Sequence, residues 1–417
     1  MAFYKEWANQ IRGYNRNIRL ALLSSAFIQI GMGIFMVIYN FYIRELGFSE
    51  HVNGQIISMN SLATALILIP AGLLSDRLGR KNVMLYGVVL TGAFLIFRSV
   101  IEVEHLLILF ALFTGLTMAF IQVSGIPWLA ENSTPEQRVH LFSIHFAVMT
   151  GSNVIGNLLG GAFTDFFSMF YTEVESIRAT LLIGAFVFLI GITPILKFKE
   201  TKRRRPEKGK PFQEKVKLHS ESIKIVLLFA VAQLLIGIGA GLVIPYLNLY
   251  FSDRFSASNT SIGLIISLGQ AATAIAIIIG PLVVRKLGEV KAVVTLQLLS
   301  LPFLLLTAYT EHLWLAAIGF LFRQALMNAG NPIQMSLMMS KVDNSMKGLA
   351  NSVNQMVFNL GWAMMGPVST GIVVKYGTYW GYATVFTITA SLYLMGSVYF
   401  YIVFKKINVE RHLKEAV

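Results

Sequence analysis

Gly72-Leu73-Leu74-Ser75-Asp76-Arg77-Leu78-Gly79-Arg80-Lys81 is a charged, glycine-punctuated turn set between two long apolar runs. Residues 51–75 before it and 82–101 after it are each long enough to cross a bilayer as a helix. Gly72 is expected to let two helices approach closely, and Gly79 to allow a sharp reversal. Arg77, Arg80 and Lys81 are expected to hold the turn on the cytoplasmic side. Asp76 is a carboxylate among cations at a membrane edge. It can pair with them or face the positive N-terminal end of another helix.

The rest of the chain fits a membrane solvent. Its 417 residues are 55% hydrophobic and 13% charged, with mean hydropathy +0.65. Soluble domains carry roughly 25% charged residues, and they do not repeat apolar runs of about 20 residues. A net charge of +13 could point to nucleic acid, but the placement of the cations argues otherwise. Most Lys and Arg fall in the N-terminal tail, alternate loops, a central linker and the C-terminal tail. Arg44, Arg98, Arg178, Arg254 and Lys375 fall on the opposite side, and Arg323 lies within a span. That asymmetry puts both termini in the cytoplasm. No cysteine is present, so disulfides and thiolate metal sites are excluded. The first 17 residues lack the apolar core and cleavage site of a signal peptide.

Twelve helical spans are expected, roughly at 18–43, 51–75, 82–101, 105–130, 139–163, 176–197, 222–251, 259–284, 292–310, 312–340, 347–374 and 379–404. Between the sixth and seventh, Lys197 to Lys224 holds eleven Lys or Arg, four Glu and two Pro. Such a stretch cannot bury a core and reads as a cytoplasmic linker whose charge attracts anionic lipid headgroups. The expected organisation is a first bundle at 1–197, a linker at 198–221 and a second bundle at 222–417. The two sides repeat one another. Gly31, Gly33, Asn40 and Tyr42 recur 208 residues later as Gly239, Gly241, Asn248 and Tyr250. Gly54, Ile57, Ser58, Ala63 and Thr64 recur 209 later, Leu78-Gly79 recurs as Leu287-Gly288, and Gly151, Gly156 and Gly161 recur 210 later.

The pattern G-x-x-x-D-R-x-G-R-K, at this place in the chain, resembles the loop between helices 2 and 3 of major facilitator superfamily transporters. The resemblance implies an all-α polytopic fold of twelve helices in two pseudo-symmetric six-helix bundles of the same orientation. The second copy of the turn is degraded, with Arg285 in place of Asp76 and Glu289 in place of Arg80. The resemblance also implies that Glu131, at the end of span 4, meets Arg80, and that Asp76 meets the start of helix 11. Gly72, Asp76, Arg77, Gly79, Arg80, Glu131 and Arg138 are therefore the expected gating set. Gly151-x4-Gly156-Asn157-x2-Gly160-Gly161 looks like the glycine-rich helix-5 motif of the superfamily's drug:proton antiporters, with Asn157 where proline is usual. Gly366-Pro367 in span 11 repeats it with the proline. Gly151, Gly156, Asn157, Gly161, Gly366 and Pro367 are read as helix-packing residues.

Polar side chains inside spans are costly unless they face protein or water, so their distribution marks the helices that line a cavity. Gln29 and Asn40 lie in span 1, Asn60 in span 2, Gln122 in span 4, and His145, Asn153 and Asn157 in span 5. Gln233 and Asn248 lie in span 7 and Gln270 in span 8. Span 10 carries Arg323, Gln324, Asn328, Asn331 and Gln334; span 11 carries Asn351, Asn354, Gln355 and Asn359. Spans 3, 6 and 12 have none in their interiors, and span 9 has Gln297 alone. Helical spacing puts Gln233, Gly237, Ile244 and Asn248 on one face, Gln324, Asn328, Asn331 and Met335 on another, and Gln355, Asn359, Trp362 and Gly366 on a third. The expected substrate-binding set is Gln29, Asn40, Gln122, Gln233, Asn248, Gln270, Arg323, Asn328, Asn359 and Trp362. For each amide the competing account is a helix–helix hydrogen bond worth about 1 kcal/mol. Arg323 is either an anchor for an anionic or polar substrate group or a structural cation held by amides and carbonyls. Pro127 and Pro332 are expected to break spans 4 and 10.

No Asp or Glu lies deep in any span. His145 is the titratable candidate for proton coupling, set against a packing role. No metal spacing, nucleophile elbow or carboxylate pair lies inside the spans, so no enzyme, cofactor or metal is expected. The expected function is secondary transport of small molecules across the cytoplasmic (inner) membrane by a monomer. Multidrug-like efflux leads. Uptake or exchange of a polar or anionic metabolite anchored by Arg323 and lipid translocation are the alternatives. Proton antiport, substrate exchange and facilitated diffusion all stay open as the energy source.

Overall fold

The computed structural model describes residues 13–199, 220–343 and 346–415. The basic linker expected at 198–221 lies almost wholly outside them. Among the described residues the elements are helical, with no strand. They are α1 (Arg16–Glu45), α2 (Glu50–Leu78), α3 (Arg80–Val100), α4 (Glu104–Glu131), α5 (Pro135–Phe167), α6 (Glu173–Leu196), α7 (Ser220–Phe255), α8 (Asn259–Leu287), α9 (Glu289–Tyr309) and α10 (Leu313–Lys341). The last helical stretch, Lys347–Glu415, is divided at Gly377 (φ 74°) into α11, 347–376, and α12, 378–415. Each expected span overlaps one of these helices. Among the described residues nine segments are long and apolar enough to cross a membrane, one of them running through both α11 and α12. The polar-rich α5 and α10 are not among the nine. This is a multi-pass membrane protein.

Local chemistry sets the helix ends. Asn15 caps α1 by accepting from the Ile18 N–H at 2.9 Å. Thr134 with Gln137 and Thr172 with Glu175 form capping boxes at the starts of α5 and α6. Gly79 (φ 93°) and Gly288 (φ 77°) precede α3 and α9, so the Leu-Gly repeat seen in sequence is a repeat of left-handed backbone. Proline behaves otherwise than expected. The α4 and α10 helices run on through Pro127 and Pro332. The interruption falls instead in α7, where Ile244–Tyr246, containing Pro245, winds as a 3-10 turn. A membrane helix tolerates the loss of one backbone bond when neighbours satisfy the freed carbonyl. The same turn breaks the helical register between Gln233 and Asn248, so those two do not share one continuous face.

The described residues divide into two compact units. Unit 1 takes those within 1–48, 66–204 and 258–267; unit 2 takes those within 49–65, 205–257 and 268–417. The start of α2 thus belongs to unit 2 and the start of α8 to unit 1.

In unit 1, α1 packs against α5 and α6, and α3 against α4 and α6. Ile34, Tyr42, Leu95, Leu181 and Phe188 are fully buried there. Arg98, expected on a flank, is 5% exposed. Its Nε donates to the Tyr39 hydroxyl at 3.2 Å, and its guanidinium lies 4.2 Å from the Tyr39 ring centre.

In unit 2, α7 packs against α11 and α12, and α9 against α10 and α12. The core joins Phe229, Val293, Leu296, Leu337, Phe400 and Phe404. The Phe229 and Phe404 ring centres are 4.1 Å apart.

Candidate functional site

The turn that organises the sequence is a hydrogen-bonded node inside unit 1. Arg80 Nε donates to Glu131 Oε1 at 2.9 Å. Arg80 Nη1 donates to Ser75 Oγ at 3.3 Å, and Ser75 Oγ lies 2.7 Å from Ser124 Oγ. Lys81 reaches the end of α6, donating to the Leu196 and Phe198 carbonyls at 3.2 and 2.9 Å. That satisfies acceptors that a helix C-terminus leaves open. Phe198 in turn stacks on Trp128, with ring centres 4.5 Å apart. Arg77 is exposed. The side chains of Asp76 and Arg138 lie outside the described residues. A Cβ on Gly72 would meet nothing within 4 Å among the described residues, so the close approach expected there is absent.

The glycine motifs separate in the same way. A Cβ on Gly156 would strike the Ile30 carbonyl of α1, and one on Gly161 the Asn259 carbonyl of α8. A Cβ on Gly366 would strike the Gly54 carbonyl of α2. Gly151 faces open space, so it is not a packing glycine in this structure. Asn157, which stands where a proline is usual, donates to Asn153 Oδ1 at 3.0 Å. Pro367 sits within α11 without interrupting it.

A second node in unit 1 lies outside the set expected from sequence. Asp165, near the end of α5, accepts from Asn259 Nδ2 at 2.9 Å and from the Thr260 N–H at 2.8 Å. A carboxylate thus caps the positive end of α8. Ser267 of α8 donates to the Val154 carbonyl of α5 at 3.0 Å. The signal was present only as an acid at the end of one span and an Asn-Thr at the start of another.

A cavity in unit 2 lies where α7 and α11 begin and α10 ends. It has a volume of about 180 Å³. Gln233 of α7, Asn331 and Gln334 of α10, and Asn354 and Gln355 of α11 supply its amides. Phe229, Phe358, Met335 and Met338 supply its apolar wall. Of the expected substrate-binding residues, Gln233 lines it. Asn328 is one turn away and donates to the Gln324 carbonyl at 3.0 Å, and Asn331 Nδ2 donates to Asn328 Oδ1 at 3.3 Å. Asn359, one turn beyond Gln355, donates to the Gln355 carbonyl at 2.9 Å. Sequence reasoning noted Asn331, Gln334, Asn354 and Gln355 as polar but left them out of the site. Their spacing carried the signal: 331, 334, 335 and 338 form one helical face, and 354, 355 and 358 another.

The other expected residues lie elsewhere. Arg323 is 3% exposed in unit 2. Its Nη2 donates to the Tyr393 hydroxyl at 2.6 Å, its Nη1 to Gln324 Oε1 at 2.9 Å, and its Nε finds no acceptor. Tyr393 belongs to α12, whose expected span carries no amide or charged side chain in its interior. Trp362 is half-buried with an unpartnered indole N–H, Asn248 is buried, and Gln270 is half-buried. In unit 1, Gln29 is half-buried, Asn40 is buried, and Gln122 is exposed. His145 is buried with Nδ1 unpartnered. Among the described residues no group of three or more His, Cys, Asp or Glu could hold a metal ion.

Comparison with known proteins agrees with this architecture. The chain is 23% identical over 403 residues to the multidrug resistance protein MdtG of Citrobacter koseri, covering 93% of this chain and 94% of that one. It is 24% identical over 389 residues to the multidrug resistance protein 1 of Bacillus subtilis, covering 88% and 94%. Among solved structures, the nucleoside transporter NupG superposes with a TM-score of 0.76 at 16% identity, covering 94% of this chain and all of that one. The family description Major Facilitator Superfamily matches twice, over residues 21–232 and 229–416, once for each half of the repeat. By its helices, its internal repeat and these two matches, the chain belongs to the major facilitator superfamily and is a membrane transporter of small molecules.

Proposed function

We propose that this transporter exports small amphipathic molecules, multidrug-like, across the cytoplasmic membrane. The halves 1–197 and 222–417, joined by 198–221, rock to expose a central site to each side in turn. Both termini are cytoplasmic and the protein works as a monomer. The observation that carries the reading is the cavity of unit 2: amides, thioethers and rings with no ionisable side chain among its lining residues. Adaptable methionines beside aromatic rings suit ligands of varied shape. The similarity to multidrug resistance proteins supports the direction of transport. His145, and the edge carboxylates Asp76 and Glu131, are the groups proposed to exchange protons during the cycle.

The test is flux in proteoliposomes with a panel of neutral, cationic and anionic compounds, with and without an imposed pH gradient. Outward movement of several amphipathic compounds, accelerated by the gradient, is expected. Flux of every compound indifferent to the gradient removes proton coupling. Movement of none of them removes the export reading. The competing reading, uptake of an anion anchored by Arg323, requires that guanidinium to leave Tyr393 and Gln324. Lipid translocation requires a lateral opening between helices.

A further inference from the structure

The amides of the unit 2 cavity are uncommitted. The side chains of Gln233, Gln334, Asn354 and Gln355 make no hydrogen bond to any described group, although Gln334 is only 7% exposed. Gln233 and Asn354 are half-buried and Gln355 is exposed. Amides in a membrane segment are costly without partners unless they face water or a ligand. Four free amides converging on one cavity therefore describe a recognition surface. Each carries a carbonyl acceptor and an NH₂ donor side by side. The rest of the lining is the rings of Phe229 and Phe358 and the thioethers of Met335 and Met338.

From this arrangement we infer that the cavity takes an uncharged, flat solute whose edge alternates donor and acceptor, as a carboxamide, urea or lactam does. This rests on the reading that the cavity is the substrate site. An amide side chain can meet such an edge with two parallel hydrogen bonds, while the rings and methionines cover its faces. Charged solutes are disfavoured. No carboxylate lines the cavity to neutralise a cation, and no Lys, Arg or His lines it to neutralise an anion. Removing an ion from water into so small a space without a counter-charge costs more than neutral amides return. Selectivity comes from that desolvation cost, whereas acceptance of varied ring systems comes from the pliable apolar wall.

Equilibrium binding to the full-length protein in lipid nanodiscs tests this, using two sets of near-isosteres at neutral pH. One is nicotinamide, nicotinate and N1-methylnicotinamide; the other is quinoline-3-carboxamide, its carboxylate and its N-methylquinolinium analogue. In each set the neutral carboxamide is expected to bind at least about tenfold more tightly than either ion, the size of one well-made hydrogen-bond pair or more. Gln334→Leu and Gln233→Leu keep the side-chain volume and should each weaken neutral binding about tenfold, by the same reckoning. Unfolding temperature confirms that the variants fold, and Asn354→Leu stands in for either that does not. A charged member binding as tightly as its neutral partner overturns the inference. So does failure of both carboxamides to bind, or unchanged binding in folded Leu variants. Binding requires no transport, so flux of charged drugs alone would sink this inference and leave export standing. Neutral binding without any flux would do the reverse.

Discussion

Gly54→Ala puts one methyl group into a close helix contact of unit 2. A Cβ at Gly54 would lie 2.7 Å from the Gly366 carbonyl oxygen and 2.8 Å from Thr370 Oγ1. Ordinary contacts need about half an ångström more, so the start of α2 and α11 must part by that amount. Overpacking of this kind costs about 1–3 kcal/mol. It also disturbs the bond from the Tyr246 hydroxyl to the Gly366 carbonyl, 3.1 Å long here. In an alternating-access cycle the penalty falls only on the conformation in which this seam is closed. About 2 kcal/mol then shifts the population about 30-fold toward the open seam. The protein has no cysteine, so Ser58→Cys is a clean reporter. Ser58 is buried against Gly366, with its hydroxyl unpartnered. Its labelling by a hydrophilic maleimide should accelerate by about tenfold or more when Gly54→Ala is added, following that population shift. Leu181→Cys, fully buried in α6, should stay unlabelled in both backgrounds. A lowered unfolding temperature with no change in Ser58→Cys labelling would mean that the strain burdens every conformation equally, and the argument would fail.

Three further outcomes follow from other contacts. Glu131→Gln removes the negative charge paired with Arg80; these side chains are 41% and 13% exposed. The loss should be at most about 1 kcal/mol and should shrink in high salt, as a screened pair requires; a larger, salt-independent loss measured by unfolding in detergent would contradict the surface account. Arg323→Met should leave stability level or improved, because a buried cation without a carboxylate partner is replaced by apolar volume. Tyr393→Phe should destabilise by about 1–3 kcal/mol, because it strands the guanidinium; the opposite order in unfolding temperature would show that Arg323 is not held by Tyr393. Asp165→Ala removes both bonds to the start of α8 and should cost about 1–2 kcal/mol, a helix cap with its charge. Asp165→Asn, keeping one acceptor, should cost less, and equal losses would argue against the cap.

Much of the fold was legible along the chain. Apolar run length located each helix, and the charged turn at 72–81 located the node around Arg80. Gly79, expected to allow a sharp reversal, and its repeat Gly288 both take positive φ. The site was legible only in composition. The polar residues of spans 10 and 11 stood out, but the count of amides per helix could not say which ones point at the same space. Arg323 shows why. Its cost in a membrane was evident from sequence, yet its partner is a tyrosine on α12, seventy residues away, in a span with no amide in its interior to attract notice. Gln233 and Asn248 show the converse, a shared face drawn through Pro245 that the 3-10 turn broke.

The sequence by itself determined the solvent and the internal repeat, because hydrophobic length acts locally against a bilayer. Tertiary structure decided which polar groups are spent and which are free. A hydrogen bond needs its partner within about 3 Å, and that depends on how α7, α10 and α11 pack. Packing consumed Asp165, Arg80 and Arg323 in bonds to other helices and left four amides around one small cavity with nothing of their own to hold.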